Sequence, residues 1–245
     1  MLIFYDYEVF KYDWLVVIKD PETKTETVII NDSEKLKKFH QEHENCIWVG
    51  YNNNHYDQWI HKSILCDINP YEISDMIINK GVPGWKASRL FRQIKMFNYD
   101  VMIRGDGGLK SLEGFMGSNI KESDVDFNIQ RKLAQAEIDE TIKYCRHDVE
   151  ETMEVFLNRQ SDFNAQLQLC KLPTKKMNLS YLSKSKAQMA GIILEARKKV
   201  YHDEFDLDFP DILKIEKYTQ VLDFYKNQEN RDYSKSLKTE IAGVP

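Results

Sequence analysis

The run Leu2–Val9, Leu-Ile-Phe-Tyr-Asp-Tyr-Glu-Val, constrains the fold more than any other stretch of the chain. Its apolar and aromatic residues read as a buried strand, and the two-residue period of a strand puts Asp6 and Glu8 on one face. Two carboxylates on a buried strand are costly unless something neutralises them. A divalent cation does so, and hard oxygen ligands suit Mg²⁺ or Mn²⁺. Taken alone, an Asp-x-Glu pair is also what a strand ending in solvent looks like. Tyr7 lies between the two acids, so it faces the other way and belongs to the core.

The pattern after this strand completes a meander. Residues 14–19 centre on a β-branched run, Asp20-Pro21 marks a turn, and residues 25–30 resume as a strand. Asp32 or Ser33 caps a helix running to about residue 43, with Leu36 and Phe39 on its buried face. A short strand at 46–50 follows, then helices at 56–66 and 70–79. A strand at 95–102 leads through Gly105, Gly107 and Gly108, a flexible break, into a short helix at 109–116. A long helix runs from about residue 135 past 156, with Ile138, Ile142, Val149, Met153 and Phe156 at apolar positions. Residues 180–200 suggest another helix, and 201–245 resist assignment. Strands and helices alternating in this way predict an α/β domain with a mixed sheet flanked by helices.

Composition narrows the class. At 30% charged and 42% hydrophobic, the 245 residues suit a globular protein rather than a disordered one. A net charge of −5 argues mildly against a general nucleic-acid binder, which carries a basic surplus. It leaves room for an enzyme whose acid-lined site is inverted by bound cations. None of the four cysteines, Cys46, Cys66, Cys145 and Cys170, forms a CxxC pair. They read as free thiols of a reducing compartment rather than a zinc site. The N-terminus has no signal-peptide pattern, and no apolar run is long enough to span a bilayer, so a cytoplasmic protein away from membranes is expected.

Two further segments carry chemistry. In Asn53-Asn54-His55-Tyr56-Asp57 the aspartate falls in the first turn of a helix, where a carboxylate is favoured. In Tyr144-Cys145-Arg146-His147-Asp148 the spacing of four puts Tyr144 and Asp148 on one helical face. Each is also an ordinary feature: a helix-start acid after a turn, and a buried tyrosine near a surface acid. Their order and host elements together are more specific. An acid pair on the first strand, Asn-x-x-Tyr-Asp, and Tyr-x-x-x-Asp on a late helix resemble the three motifs of the DEDD superfamily of 3′–5′ exonucleases. The histidine subclass carries His five before the last aspartate, where this chain has Lys143, so the resemblance is to the tyrosine subclass, DEDDy. Tyr99-Asp100 and Gly108-Leu109-Lys110-Ser111-Leu112 resemble the segment leading to the Ser-Leu-x-x-hydrophobic helix of these enzymes. The opening, the second motif and Leu182-Ser183-Lys184-Ser185-Lys186-Ala187 resemble the N-terminal exonuclease regions of phage-encoded DNA polymerases.

This resemblance implies a ribonuclease-H-like fold over residues 1–160, with 161–245 a helical, charged extension linking to a polymerase domain absent from this chain. It implies two divalent cations, Mg²⁺ or Mn²⁺, held by Asp6, Glu8, Asp57 and Asp148, with Tyr144 orienting the attacking water. Asn53, Tyr56 and Leu112 are implied to contact the substrate, the 3′ end of single-stranded DNA. Products are nucleoside 5′-monophosphates, and the setting is proofreading in DNA replication, in the host cytoplasm if phage-encoded, alongside a polymerase domain or replication proteins. Arg146 reads equally as a phosphate contact and as a solvated helix arginine. Lys175, Lys176, Lys184 and Lys186 form a basic cluster that reads more readily as a solvated face than as a contact to the DNA backbone. Two other classes remain open: an RNA-trimming exoribonuclease of similar motif, and an inactive nucleic-acid-binding module on the same fold.

Overall fold

The computed structural model describes residues 1–103, 105–117, 125–196, 205, 214 and 216–231. A mixed five-stranded sheet forms its centre, with strands β1 (Leu2–Val9), β2 (Trp14–Asp20), β3 (Thr25–Ile30), β4 (Ile47–Gly50) and β5 (Phe97–Asp100). Their order is β3-β2-β1-β4-β5. The first three strands form the expected antiparallel meander, and β4 and β5 add in parallel. The crossovers use helices α1 (Ser33–Glu42), α2 (Asp57–Leu65), α3 (Pro70–Ile78) and the single turn α4 (Gly84–Ala87). Asp32 caps α1 by accepting from the Lys35 N–H at 2.9 Å. Asn69 caps α3 in the same way, with Pro70 in its first turn.

Because β1 lies in the middle of the sheet, both its faces are covered. Ile3, Tyr5 and Tyr7 point into one core with Val16, Ile18, Trp48 and Ile60. Phe4 points into the other with Leu15, Val17, Val49, Cys145, Val149 and Phe156. This second core holds α5 (Leu109–Met116), α6 (Gln135–Asn158) and α7 (Gln160–Leu169) against the sheet. Phe156 meets Phe4 edge-on at 5.3 Å and Phe163 at 5.0 Å, which locks the C-terminal part of α6 and the start of α7 in place. Truncating a buried ring of this kind costs about 3–5 kcal/mol. The start of α6 is secured by Glu137, which accepts from the Ala134 N–H at 2.7 Å and pairs with Arg131. These bonds hold its carboxyl down at about 2.

Two departures from the sequence reading concern the C-terminal part. The chain forms two compact units, Met1–Leu194 and Glu195–Pro245, so the first runs past the boundary expected at 160. The reason is that Phe163, Cys170 and Leu182 are buried in the same core as Phe156. The helix expected over 180–200 is shorter. α8 spans Lys186–Ile193, because Ser185 accepts from the Gln188 N–H and starts a new helix there. Residues 197–200 of that expectation, and most of 201–245, lie outside the described residues. In the second unit α9 (Thr219–Lys226) is described. No described helix is long and apolar enough to cross a membrane.

Candidate metal centre

Three elements bring the acids together. β1 supplies Asp6 and Glu8 from the face it turns toward α6, with Tyr5 and Tyr7 buried on the opposite face. The first turn of α2 supplies Asp57, and the middle of α6 supplies Asp148. All four line one cleft of about 570 Å³, together with Tyr56, Met102, Gly107 and Leu109. Asp57 is fixed to the strand itself, accepting from the Tyr7 N–H at 3.2 Å. Cys145 ties α6 to β1, its thiol donating to the Asp6 carbonyl at 3.3 Å and lying 3.4 Å from Asp6 Oδ2.

The loop ahead of α2 is shaped by Asp100 at the end of β5. Its carboxylate accepts from the N–H groups of Asn52, Asn54 and Met102 at 2.9, 3.0 and 2.9 Å. Asn52 adopts a left-handed conformation at φ 58°, which asparagine tolerates better than most residues. Gly50 is required by the close approach that follows: a Cβ there would lie 2.8 Å from Asn53 Nδ2. On the other rim, the glycine-rich segment expected to be flexible is pinned. Tyr51 donates to the Gly107 carbonyl at 2.6 Å. Arg159 clamps Asp106 with two bonds of 2.6 and 3.0 Å.

The electrostatics show too much negative charge for the space. Burial, then the charges of Asp57, Glu8 and Asp148, push the Asp6 carboxyl well above the carboxylate range. Burial with Asp148 and Asp57 does the same to Glu8, against the pull of Lys110. Burial lifts Asp57 to about 7, although the Tyr7 N–H opposes it. Burial also raises Asp148, against Lys110. Tyr144 lies one turn before Asp148. Burial and the neighbouring Asp148, Glu8 and Asp6 carboxylates hold its phenol far above the ordinary value. It therefore keeps its proton and can donate a hydrogen bond.

A small group of these residues could hold a metal ion. Ligand atoms of Asp6, Glu8 and Cys145 lie within 4.8 Å of one another. Burial and the adjacent Asp6 and Glu8 raise the Cys145 thiol well above its usual range, so it stays protonated and is a poor ligand. That leaves the Asp6 and Glu8 carboxylate oxygens as the donors of this group, hard ligands rather than a thiolate.

The other residues expected at the substrate divide. Tyr56 lines the cleft, with its hydroxyl 2.8 Å from Ser74 Oγ. Asn53 does not reach it. It is fully buried, and its amide exchanges two 3.0 Å hydrogen bonds with Asn98 and donates to the Tyr99 carbonyl. The run of asparagines is a structural lock, whose partner on β5 could not be anticipated from adjacency. Leu112 packs against the α6 side of the core and not along the cleft. Arg146 forks onto Glu26 of β3 with bonds of 2.7–3.0 Å, so its guanidinium is engaged away from the cleft. Lys175, Lys176, Lys184 and Lys186 are exposed.

Lys110 was not singled out by the sequence reading. Its ammonium lies 2.5 Å from Asp148 Oδ1, 3.0 Å from Glu113 Oε1 and 4.7 Å from the centre of the Tyr144 ring. Only its place beside Ser111-Leu112 marked it in one dimension. No family model, curated protein or solved structure matches this chain.

Proposed function

We propose that this chain is a metal-dependent 3′–5′ exonuclease of the DEDDy type on a ribonuclease-H-like fold, acting on single-stranded DNA ends. In this reading it is the proofreading part of a phage-type DNA polymerase. One observation carries it: four carboxylates from three separate elements, Asp6, Glu8, Asp57 and Asp148, converge on one cleft, with Tyr144 one turn from Asp148. The sheet order, an antiparallel meander followed by parallel strands, is compatible with the proposed fold.

Asp6, Glu8, Asp57 and Asp148 would hold the divalent cations. When bound, the cations supply positive charge that offsets the carboxylates and the charge developing on the scissile phosphate in an in-line displacement. Tyr144 Oη donates a hydrogen bond that orients the attacking water. The water oxygen bonds to phosphorus, the bond from phosphorus to the 3′ oxygen breaks, and that oxygen takes up a proton. A nucleoside 5′-monophosphate leaves. Tyr56 forms part of the wall against which the terminal nucleotide rests.

Single-stranded DNA and RNA of one sequence, each incubated with Mg²⁺, with Mn²⁺ and with a chelator, test this reading. DNA degradation that needs the cation supports it. Faster turnover of RNA favours an RNA-trimming enzyme, and no turnover with tight DNA binding favours an inactive binding module.

A further inference from the structure

The strongest unexplained feature is Lys110 itself. Four carboxylates line the cleft, and the Lys110 ammonium sits on one of them, Asp148. Lys110 occupies a position from which a divalent cation at Asp148 would repel it strongly, since like charges a few ångströms apart in a partly buried site cannot both stay. It nevertheless has somewhere to go. Glu113 lies one turn further along α5, the natural reach of an i,i+3 pair, and already shares the ammonium through Oε1 at 3.0 Å. The Glu113 side chain is completely buried, and among the described residues its second oxygen, Oε2, has no hydrogen-bond partner. His147 Nε2 stands 3.7 Å away and, among the described residues, is itself without a hydrogen-bond partner. A buried carboxylate oxygen without a partner is uncommon in a folded protein and calls for an explanation.

We propose that Lys110 is a displaceable internal cation of this centre: its ammonium occupies Asp148 when no metal is bound and withdraws onto Glu113 when a divalent cation takes Asp148. The inference rests on the reading of the four acids as a cation site. Glu113 is then a berth rather than a ligand, and its spare oxygen is the acceptor that the withdrawn ammonium fills. The Tyr144 ring beneath the ammonium marks where it rests before displacement. Metal affinity is set in part by this competition, because each cation bound at Asp148 must first break a charge-assisted hydrogen bond.

Calorimetric titration of the full chain with Mn²⁺ tests the proposal without reference to activity. Lys110→Met keeps the aliphatic stem and removes the competitor, so it should bind Mn²⁺ roughly tenfold more tightly than the wild type, the effect expected for one competing charged hydrogen bond. Glu113→Gln removes the berth and should weaken binding. In the Lys110→Met background the same Glu113→Gln change should lose most of its effect, since the two residues then no longer share an ammonium. Equal affinity in the wild type and Lys110→Met, or weaker binding in Lys110→Met, overturns the displacement mechanism and leaves the acid site standing. Equal effects of Glu113→Gln in both backgrounds overturn the berth. A wild-type chain that binds no Mn²⁺, while circular dichroism reports it folded, overturns the cation-site reading and this inference together.

Discussion

The two faces of β1 carry polar clusters of opposite character. On one face Tyr7 hydrogen-bonds His61 Nδ1 at 2.8 Å, and His61 Nε2 meets His40 Nδ1 at 3.0 Å. His40 in turn meets the Lys95 carbonyl, and Tyr5 donates to Asn98 at 2.9 Å. This network is neutral, and these groups have found partners inside the protein. On the other face Asp6 and Glu8 face Asp57 and Asp148 across a cleft, with the Lys110 ammonium on Asp148. Residues one position apart in sequence therefore do different jobs. The completed network fixes the strand, and the other concentrates carboxylates in a cleft, which the proposed function reads as a cation site.

The sharpest way to break this contrast is to remove an acid. Asp6→Ala or Asp148→Ala should abolish cleavage in Mg²⁺, a loss on the order of a thousandfold or more by comparison with other preorganised electrostatic groups. In Asp6→Ala the thermal midpoint of the metal-free chain should stay the same or rise, because one repelling carboxylate is gone. Near-normal cleavage by either variant would remove that residue from the site.

On the completed face the penalty should fall on stability. Asn98→Ala strips the partner from the buried Tyr5 hydroxyl and from Asn53 Oδ1, and leaves Asn53 Nδ2 with the Tyr99 carbonyl alone. A loss of about 3 kcal/mol in urea unfolding is expected from these stranded groups. A loss under about 0.5 kcal/mol, the scatter of ordinary surface substitutions, would mean that the network is not a structural lock.

How much of this was legible in the sequence differs between the faces. The placing of Asp6 and Glu8 together, with Tyr7 opposite, follows from the two-residue period of a strand. Asp57 and Asp148 could be tied to them only through the order of motifs, since nothing in one dimension says that α2 and α6 meet β1 at the same point. The asparagine lock stayed hidden because Asn98 lies 45 residues from Asn53. Arg146 was ambiguous because its partner, Glu26, belongs to an edge strand 120 residues away. The pairing of Lys110 with Asp148 was hidden for a similar reason, since it spans 38 residues. Through-space charge pairing of this kind leaves no periodic trace.

Tyr144→Phe sharpens the comparison within the open face. It removes one hydroxyl and keeps the ring that packs under Lys110. The single-turnover rate should fall roughly ten- to a hundredfold, the scale of a misplaced reactant. Mn²⁺ affinity should be nearly unchanged. Asp148→Asn should differ, its defect lessening as Mn²⁺ is raised. A Tyr144→Phe defect that disappears at high metal would contradict the positioning role.

The smallest effect concerns pH. Burial, with the nearby His40 and Lys62 charges, holds His61 well below its usual range, and burial also lowers His40. Above about pH 6.5 neither the folded nor the unfolded chain protonates these rings, so they carry no penalty. As pH falls below that value the unfolded chain takes up protons that the folded chain refuses. Stability then declines by at most about 1.4 kcal/mol per pH unit for each histidine. The acid face titrates in the opposite direction, so the comparison is between wild type and His61→Gln, in which the acids cancel. The variant should lose less stability between pH 7.5 and 5.5, as read from urea midpoints. Parallel losses would show that His61 is not held neutral by its surroundings.

The central claim is tested most directly by the polarity of cleavage. The wild-type chain with Mg²⁺ is given three forms of one single-stranded DNA: one blocked at its 3′ end, one blocked at its 5′ end, and one closed into a circle. The expected result is stepwise shortening of the 5′-blocked strand with release of nucleoside 5′-monophosphates, while the 3′-blocked strand and the circle stay intact. Opening of the circle, or digestion that proceeds past a blocked 3′ end, would contradict a 3′–5′ exonuclease assembled from Asp6, Glu8, Asp57, Tyr144 and Asp148.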